Sequence, residues 1–298
     1  MANTLTNVKD IKVAQSALAP WMHNLLPLRA FSSNFSPAPA DRLDTVRVPL
    51  IGAPSASSDF AGDYTANADS TVTVVPVVLN KHKYKTVHMT ARENIETALP
   101  LLENLVGSAI RQLAYDVLQD IFTEITAANY GAPVVPAFAA TDMTYPKVIE
   151  IREGCADVKM PAEMRSLILD DAYFSNLLAD DVVSKSFITP LAQSGVIEAR
   201  INRIAGFDMY ETTVMPDNGE NLVGMAAHPS GLAVAMRYLT PVAKYDEAGA
   251  VTDPQTGLTF GYLRYTDTRA NKIYITVECL YGFKVARADG IRRIVDIA

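Results

Sequence analysis

The chain has 298 residues, 49 % apolar and 20 % charged, so it can bury a sizeable core and divide into more than one structural unit. Its net charge of −7 argues against a general nucleic-acid binder, which presents a basic face. No apolar run reaches the roughly 18 residues of a membrane span, and no apolar core follows Lys9, Asp10 and Lys12 as a signal peptide requires.

Residues Met1 to Asp44 read as an arm. A weakly amphipathic stretch from Val8 to Leu26 leads into Pro27, then Ser32-Ser33-Asn34 and Pro37-Ala38-Pro39. The second half reads as extended chain without a core of its own. Thr45 to His88 reads as a long hairpin with limbs Thr45–Ile51 and Thr71–Leu79, rich in β-branched residues. Pro49 and Pro76 each remove a ladder donor, which suits edges rather than central strands. The tip, Gly52 to Ser70, is mostly Gly, Ala, Ser, Asp and Asn and reads as mobile. Half of such a hairpin is about 18 residues, up to about 60 Å when extended, whereas a body of this length has a radius of gyration near 19 Å (about 2.2·N^0.38). The hairpin is therefore expected to project, with another copy of the chain supplying the surface for its apolar residues.

Thr90 to Tyr130 reads as one long spine helix. Thr90 and Glu93 form a capping box, and Gly131 and Pro133 stop the helix. Pro100 marks either a kink or the first turn of a restarted helix. Apolar pairs recur every four residues, from Leu101/Leu102 through Leu113/Ala114 to Ile121/Phe122 and Ile125. Four residues turn a helix by about 400°, so the stripe creeps about 40° per step and meets different neighbours along its length. From Pro100 onward the expected length is about 45 Å.

Tyr145 to Ala156 reads as a helix, Arg165 to Leu169 as a buried strand, and Asp170-Asp171 as the cap of a helix ending near Leu178. Gly195 to Tyr210 reads as strand, turn and strand, Leu222 to Ala227 as an apolar strand, and Pro229 to Met236 as a helix. Leu258–Arg264, Lys272–Arg287 and Ile291–Ile297 alternate as strands, with turns at Asp267-Thr268-Arg269 and Asp289-Gly290. The fold class is α+β.

The sequence offers no catalytic, cofactor-binding or metal-binding set. Cys155 and Cys279 lack ligand-like companions and read as buried thiols. His23, His82, His88 and His228 lack ligand spacing. Lys81, Lys83 and Lys85 read as a solvated hairpin base. Ser108 and Ser230 miss the nucleophile-elbow pattern, and Ser108 reads as a small residue for close helix packing. Asp170-Asp171 read as a cap, Asp180-Asp181 as a solvated helix end, and Asp217-Asn218-Gly219 as a turn rather than a calcium loop.

Arm, hairpin, spine helix, α+β middle and returning strands occur in the order that tailed-bacteriophage major capsid proteins use, a fold shared with encapsulin shells. Local phrases resemble that family as well: Met160–Leu169, Ile204–Tyr210, Gly224–His228 and Tyr281–Val285 before Asp289-Gly290. The resemblance implies an N-terminal arm over 1–44, an E-loop over 45–89, a peripheral domain over 90–144 and 266–298, and an axial domain over 145–265. It implies a non-enzymatic, self-assembling subunit of an icosahedral head around double-stranded DNA. Hexamers and pentamers, a portal, a possible decoration protein and a separate scaffolding protein would be its partners. Packaged DNA would be held without sequence-specific binding. Localisation would be the virion, after synthesis and assembly in a bacterial cytoplasm. An encapsulin-like compartment, which would need a cargo-binding inner pocket, is the alternative; a hydrolase using Asp170 or Asp181 is the remote one. Some relatives weld neighbours by a Lys–Asn isopeptide bond. Here 47–80 contains no Lys, Lys81, Lys83 and Lys85 crowd the hairpin base, and Asn271, an amide candidate, reads as a turn residue without its nucleophile, so a non-covalent shell is expected.

Overall fold

In the computed structural model, residues 21, 25–39, 45–51, 72–90, 92–93, 101–186, 203–241, 243–252 and 259–297 are described. Strand β12 (Lys272–Val285) organises one sheet. Along one edge it pairs with β4 (Lys81–Thr90), from Lys272↔Thr90 to Tyr281↔Lys81. Along the other edge, β11 (Thr259–Asp267) takes its first half and β9 (Leu232–Tyr238) its second. β10 (Glu247–Thr252) extends β11, and β1 (Ser32–Pro39) lies parallel to β9. A second sheet has the order β13 (Ile291–Val295), β8 (Leu222–Ala227), β5 (Ser166–Asp170), β7 (Phe207–Thr212) and β6 (Arg203–Ile204).

The two sheets are joined by a pair of adjacent connections. Residues 228–231 carry the chain from β8 to β9, and 286–290 carry it from β12 to β13. Their backbones touch: His228 N–H donates to the Gly290 carbonyl at 2.8 Å, and Ala286 N–H to the Gly231 carbonyl at 3.0 Å. A Cβ on Gly290 would meet the Gly231 Cα at 2.4 Å, so the approach admits only glycine there.

The spine is shorter than its apolar stripe. Helix α1 (Leu101–Phe122) is 22 residues, about 33 Å. The Thr123 hydroxyl donates to the Asp120 carbonyl at 2.6 Å, and Thr126 begins a separate short helix, α2 (Ala127–Tyr130), by accepting from Asn129 N–H. Local hydroxyl bonds from Thr123 and Thr126 compete with helix continuation, although Ile125 stays fully buried. Gly131 ends α2 at positive φ. The Thr90–Glu93 capping box forms: Thr90 N–H donates to Glu93 Oε2 at 2.7 Å, and Glu93 N–H to Thr90 Oγ1 at 3.3 Å. Pro100 lies outside the described residues.

The buried face of α1 (Val106, Ile110, Leu113, Val117, Ile121) joins Ile275, Val277, Cys279 and Tyr281 of β12 in the main core. Trp21, Leu25, Leu28 and Phe31 enter the same core, with Trp21 edge-on to Phe260 and Phe31 to Phe122. This corrects the expectation that the arm has no core within its own subunit. Apolar residues spaced at 21, 25, 28 and 31 cover one end of the helix–sheet interface.

A second core lies on the far side of the second sheet. Ile168 and Met225 point to the main core, while Leu167, Leu169 and Ala226 point to the second, as the two-residue period of a strand requires. There they meet Val148, Ile151 and Cys155 of α3 (Tyr145–Asp157) and Tyr173, Phe174 and Leu177 of α4 (Asp171–Ala179). A short helix, α5 (Asp181–Ser186), follows.

The hairpin limbs are β2 (Thr45–Ile51) and β3 (Val72–Val78), paired antiparallel from Thr45↔Val78 to Ile51↔Val72. The expected tip, 52–70, and Thr71 of the second limb lie outside the described residues. The inner face of the limbs does not wait for another copy: Val46, Val48, Val75 and Val77 are buried on Ala233 and Ala235 of β9. Gly282 permits the seat, since a Cβ there would meet the Val78 carbonyl oxygen at 2.1 Å. What was expected as the hairpin base, Lys81 to Lys85, belongs instead to β4, a full partner of β12.

Residues 232–238 correct another expectation. Leu-Ala-Val-Ala-Met-Arg-Tyr is strand β9 rather than helix, and its first five residues are buried. A continuous apolar run of that length fits a strand covered on both faces as well as a buried helix; pairing on both edges, with β1 and β12, decides. Sheet pairing also crosses residue 265: β13 pairs with β8, and β12 with β9.

Candidate functional surface

Strand alternation sorts the Lys81–His88 run onto two faces of β4. Lys81 and Lys83 face α1: Lys81 Nζ lies 2.9 Å from Asp120 Oδ2, and Lys83 Nζ donates to the Asp116 carbonyl at 2.6 Å. The Tyr281 hydroxyl donates to the same Asp120 carboxylate at 2.6 Å. Burial opposes the Asp120 charge, but the Tyr281 hydroxyl and Lys81 ammonium outweigh it and hold the carboxyl below its ordinary value. Two of the three lysines thus clamp β4 to the helix, correcting the reading of a solvated base.

The opposite face of β4 and β12 is divided. Over the second half of β12 it is covered by the hairpin limbs. Over the first half it presents rings. Tyr265 and Tyr274 stack at 4.9 Å with planes 4° apart, Tyr245 stands edge-on to Tyr265 at 6.1 Å, and His88 lies 5.6 Å from Tyr274. Tyr84 is 66 % exposed, beside His82. The Tyr84, Tyr245, Tyr265, Leu263, Thr276 and Glu278 side chains line a shallow depression of about 410 Å³. At its floor Glu278 is 7 % exposed and meets His82 Nε2 at 3.0 Å.

The residues weighed from sequence scatter. Cys155 lies in the second core and Cys279 in the first; burial pushes their thiols up to about 11 and about 12, far from reactive thiolates. His228 sits in the 228–231 connection, its Nδ1 accepting from Ser230 N–H at 3.2 Å and 2.8 Å from Ser230 Oγ. Burial, then Arg287 and Arg165, lower its pKa. The pair closes a turn, a contact that a spacing of two residues at a Pro-Ser-Gly turn could have signalled. His23 lies outside the described residues. Ser108 is exposed and Gly107 has open space beside it, so neither serves close packing.

Asp170 is the N-cap residue of α4, and burial raises its pKa. Asp180 does more than end a helix: it accepts from Tyr145 N–H at 2.7 Å and Val182 N–H at 2.8 Å, tying the starts of α3 and α5 together. Burial first, then a hydrogen bond to Asp171 and the Asp171 charge, raise the Glu211 pKa. Asp217-Asn218-Gly219 is a turn, with Asn218 accepting from Glu220 N–H. Sequence reading missed the link that follows it, in which buried Arg293 joins Glu220 and the Gly131 carbonyl. Asn271 is at positive φ between β11 and β12. Among the described residues no group of three or more His, Cys, Asp or Glu could hold a metal ion, and no helix is long and apolar enough to cross a membrane.

No protein-family model matches the chain, and no curated protein matches it. Solved structures do. The capsid of Ralstonia phage GP4 aligns with TM-score 0.57 and 13 % identity, over 89 % of this chain and 86 % of that one. The capsid structure of cyanophage P-SCSP1u aligns with TM-score 0.56 and 11 % identity, over 90 % and 86 %. A Mycobacterium phage Che8 structure gives 0.53 and 17 %, over 84 % of each chain. At these identities the likeness is one of fold: the chain has the tailed-phage capsid fold.

Proposed function

We propose that the chain is a major capsid protein, the self-assembling subunit of an icosahedral phage head enclosing double-stranded DNA. The observation that carries this reading is the likeness to phage capsid structures over some nine-tenths of the chain. A face left uncovered in a single subunit, beside a hairpin rooted on the same sheet, supports it. In this reading 1–44 is the arm, 45–89 the E-loop, 90–144 with 266–298 the peripheral domain, and 145–265 the axial domain. Hexamers and pentamers build the shell, with a scaffolding protein, a portal and a possible decoration protein as partners. The subunit acts without catalysis or cofactor, is made and assembled in the bacterial cytoplasm, and ends in the virion.

Because the hairpin limbs already bury one face on their own subunit, contacts with neighbours fall to residues 52–71 and to uncovered faces of the body. The shell is held non-covalently: Lys81 and Lys83 are engaged by α1. Mature particles boiled in detergent run as single chains, and a ladder of covalent multimers would overturn this part. Electron microscopy of the purified chain tests the whole reading. Closed shells or capsomer rings are expected, filled with DNA in infected cells; a protein-filled shell made without a phage points to the encapsulin-like alternative.

A further inference from the structure

The open half of the β12 face combines exposed ring faces with a carboxylate set beneath them. Tyr84 stands directly opposite Glu278 in the β4–β12 ladder, and Tyr265 and Leu263 come from β11 on the other edge. Glu278 is 7 % exposed whereas Tyr84 is 66 % exposed. A carboxylate accepts at about four lone-pair positions, and His82 Nε2 at 3.0 Å occupies one. A buried carboxylate is stabilised by an opposite charge that also hydrogen-bonds to it. Exposed tyrosine faces attract a cation within about 6 Å of the ring centre. The same carboxylate disfavours a phosphate backbone, which removes nucleic acid as the natural occupant despite the stacked rings.

From this complementarity we propose that the depression lined by Tyr84, Tyr245, Tyr265 and Glu278 receives one Arg or Lys side chain of a second copy of the chain. The partner being a second copy rests on the shell reading; the choice of a cation does not. Residues 52–70 carry three Asp and no Lys or Arg, so the hairpin tip of a neighbour is not the occupant. The cation comes from another part of the neighbouring subunit, and the tip goes elsewhere.

Photo-crosslinking in assembled particles tests this directly. With Tyr84→p-benzoylphenylalanine, irradiation should join two copies, the adduct mapping by mass spectrometry to a peptide in which a Lys or Arg neighbours the modified atom. Adding Glu278→Gln should cut the yield at least fivefold. Adducts confined to one copy, adducts to nucleic acid, adducts to a peptide without a nearby cation, or a yield indifferent to Glu278→Gln would each overturn it. A chain that never assembles removes the shell reading and the second-copy partner together. In that event a titration of dispersed subunits with N-acetylarginine amide decides the pocket alone. Tyr84 and Tyr265 ring signals should shift with it, not with N-acetylleucine amide, and not in Glu278→Gln; absence of a shift overturns the cation site too.

Discussion

One strand, β4, has two faces with opposite fates. Toward α1 it sends Lys81 and Lys83, which end on Asp120 and on the Asp116 carbonyl. Toward the other side it sends His82, Tyr84, Thr86 and His88, which in a single subunit meet each other, the rings of β11 and β12, and solvent. The first face is closed against the helix, where two of its three lysines find partners. The second is unfinished. A fold held from the helix side can leave the other side to copies of itself, so damage to the two sides should read out differently.

The largest effect should come from the helix side. Leu113→Asp or Leu118→Asp buries an unpaired charge in the main core, costs on the order of 4 kcal/mol, and should abolish soluble expression. Gly282→Val is next. Its side chain would strike the Val78 carbonyl oxygen, 2.1 Å from a Cβ, at a cost of about 2 kcal/mol. Hydrogen exchange should quicken at 45–51 and 72–78 while α1 stays protected; uniform loss of protection would show that the limbs and body are one cooperative unit.

Asp120→Asn should cost about 1 kcal/mol by weakening the Tyr281 bond and the Lys81 pair. It also changes the acid limb. A carboxyl lowered on folding contributes stability above its ordinary value of 3.8, lost as pH falls through the lowered value. Denaturant melts of Asp120→Asn should therefore fall less steeply on acidification below about pH 4. Glu211 carries the opposite sign, because its carboxyl is raised. Glu211→Gln should gain slightly at neutral pH and lose that gain as pH falls through the raised value, with none left below the ordinary 4.5. The smallest effect on stability belongs to Tyr84→Ala, within about 0.5 kcal/mol, yet it should weaken assembly measured by light scattering. If it melted like Asp120→Asn and assembled like the wild type, the two-face distinction would fail.

Much of this was legible from residue order alone. The strands at 45–51, 166–170, 222–227, 259–267, 272–285 and 291–295 follow β-branched and alternating patterns, and the order of elements pointed to the capsid fold. What misled was local ambiguity settled by distant partners. Leu232–Tyr238 reads as helix because Ala and Met favour helices, and only β1 and β12, some 200 and 45 residues away, make it a strand. Glu247–Thr252 carries two alanines and a glycine and has no strand signal of its own; pairing with β11 supplies it. The break after Phe122 was hidden because apolar spacing runs on to Ile125 while the hydroxyls of Thr123 and Thr126 end the helix. The open ring face was invisible for a simpler reason. Its members come from 82–88, 245, 263–265 and 274–278, and only the register of three strands gathers them.

Trimming Ser55 to Asp69 should leave a folded subunit, by circular dichroism and melting, that assembles poorly. The central claim, that the subunit is completed by copies of itself, is tested most directly by light scattering with electron microscopy on the purified full-length chain across concentration and salt. Closed shells or capsomer rings are the predicted result. A stable monomer under every condition would contradict it.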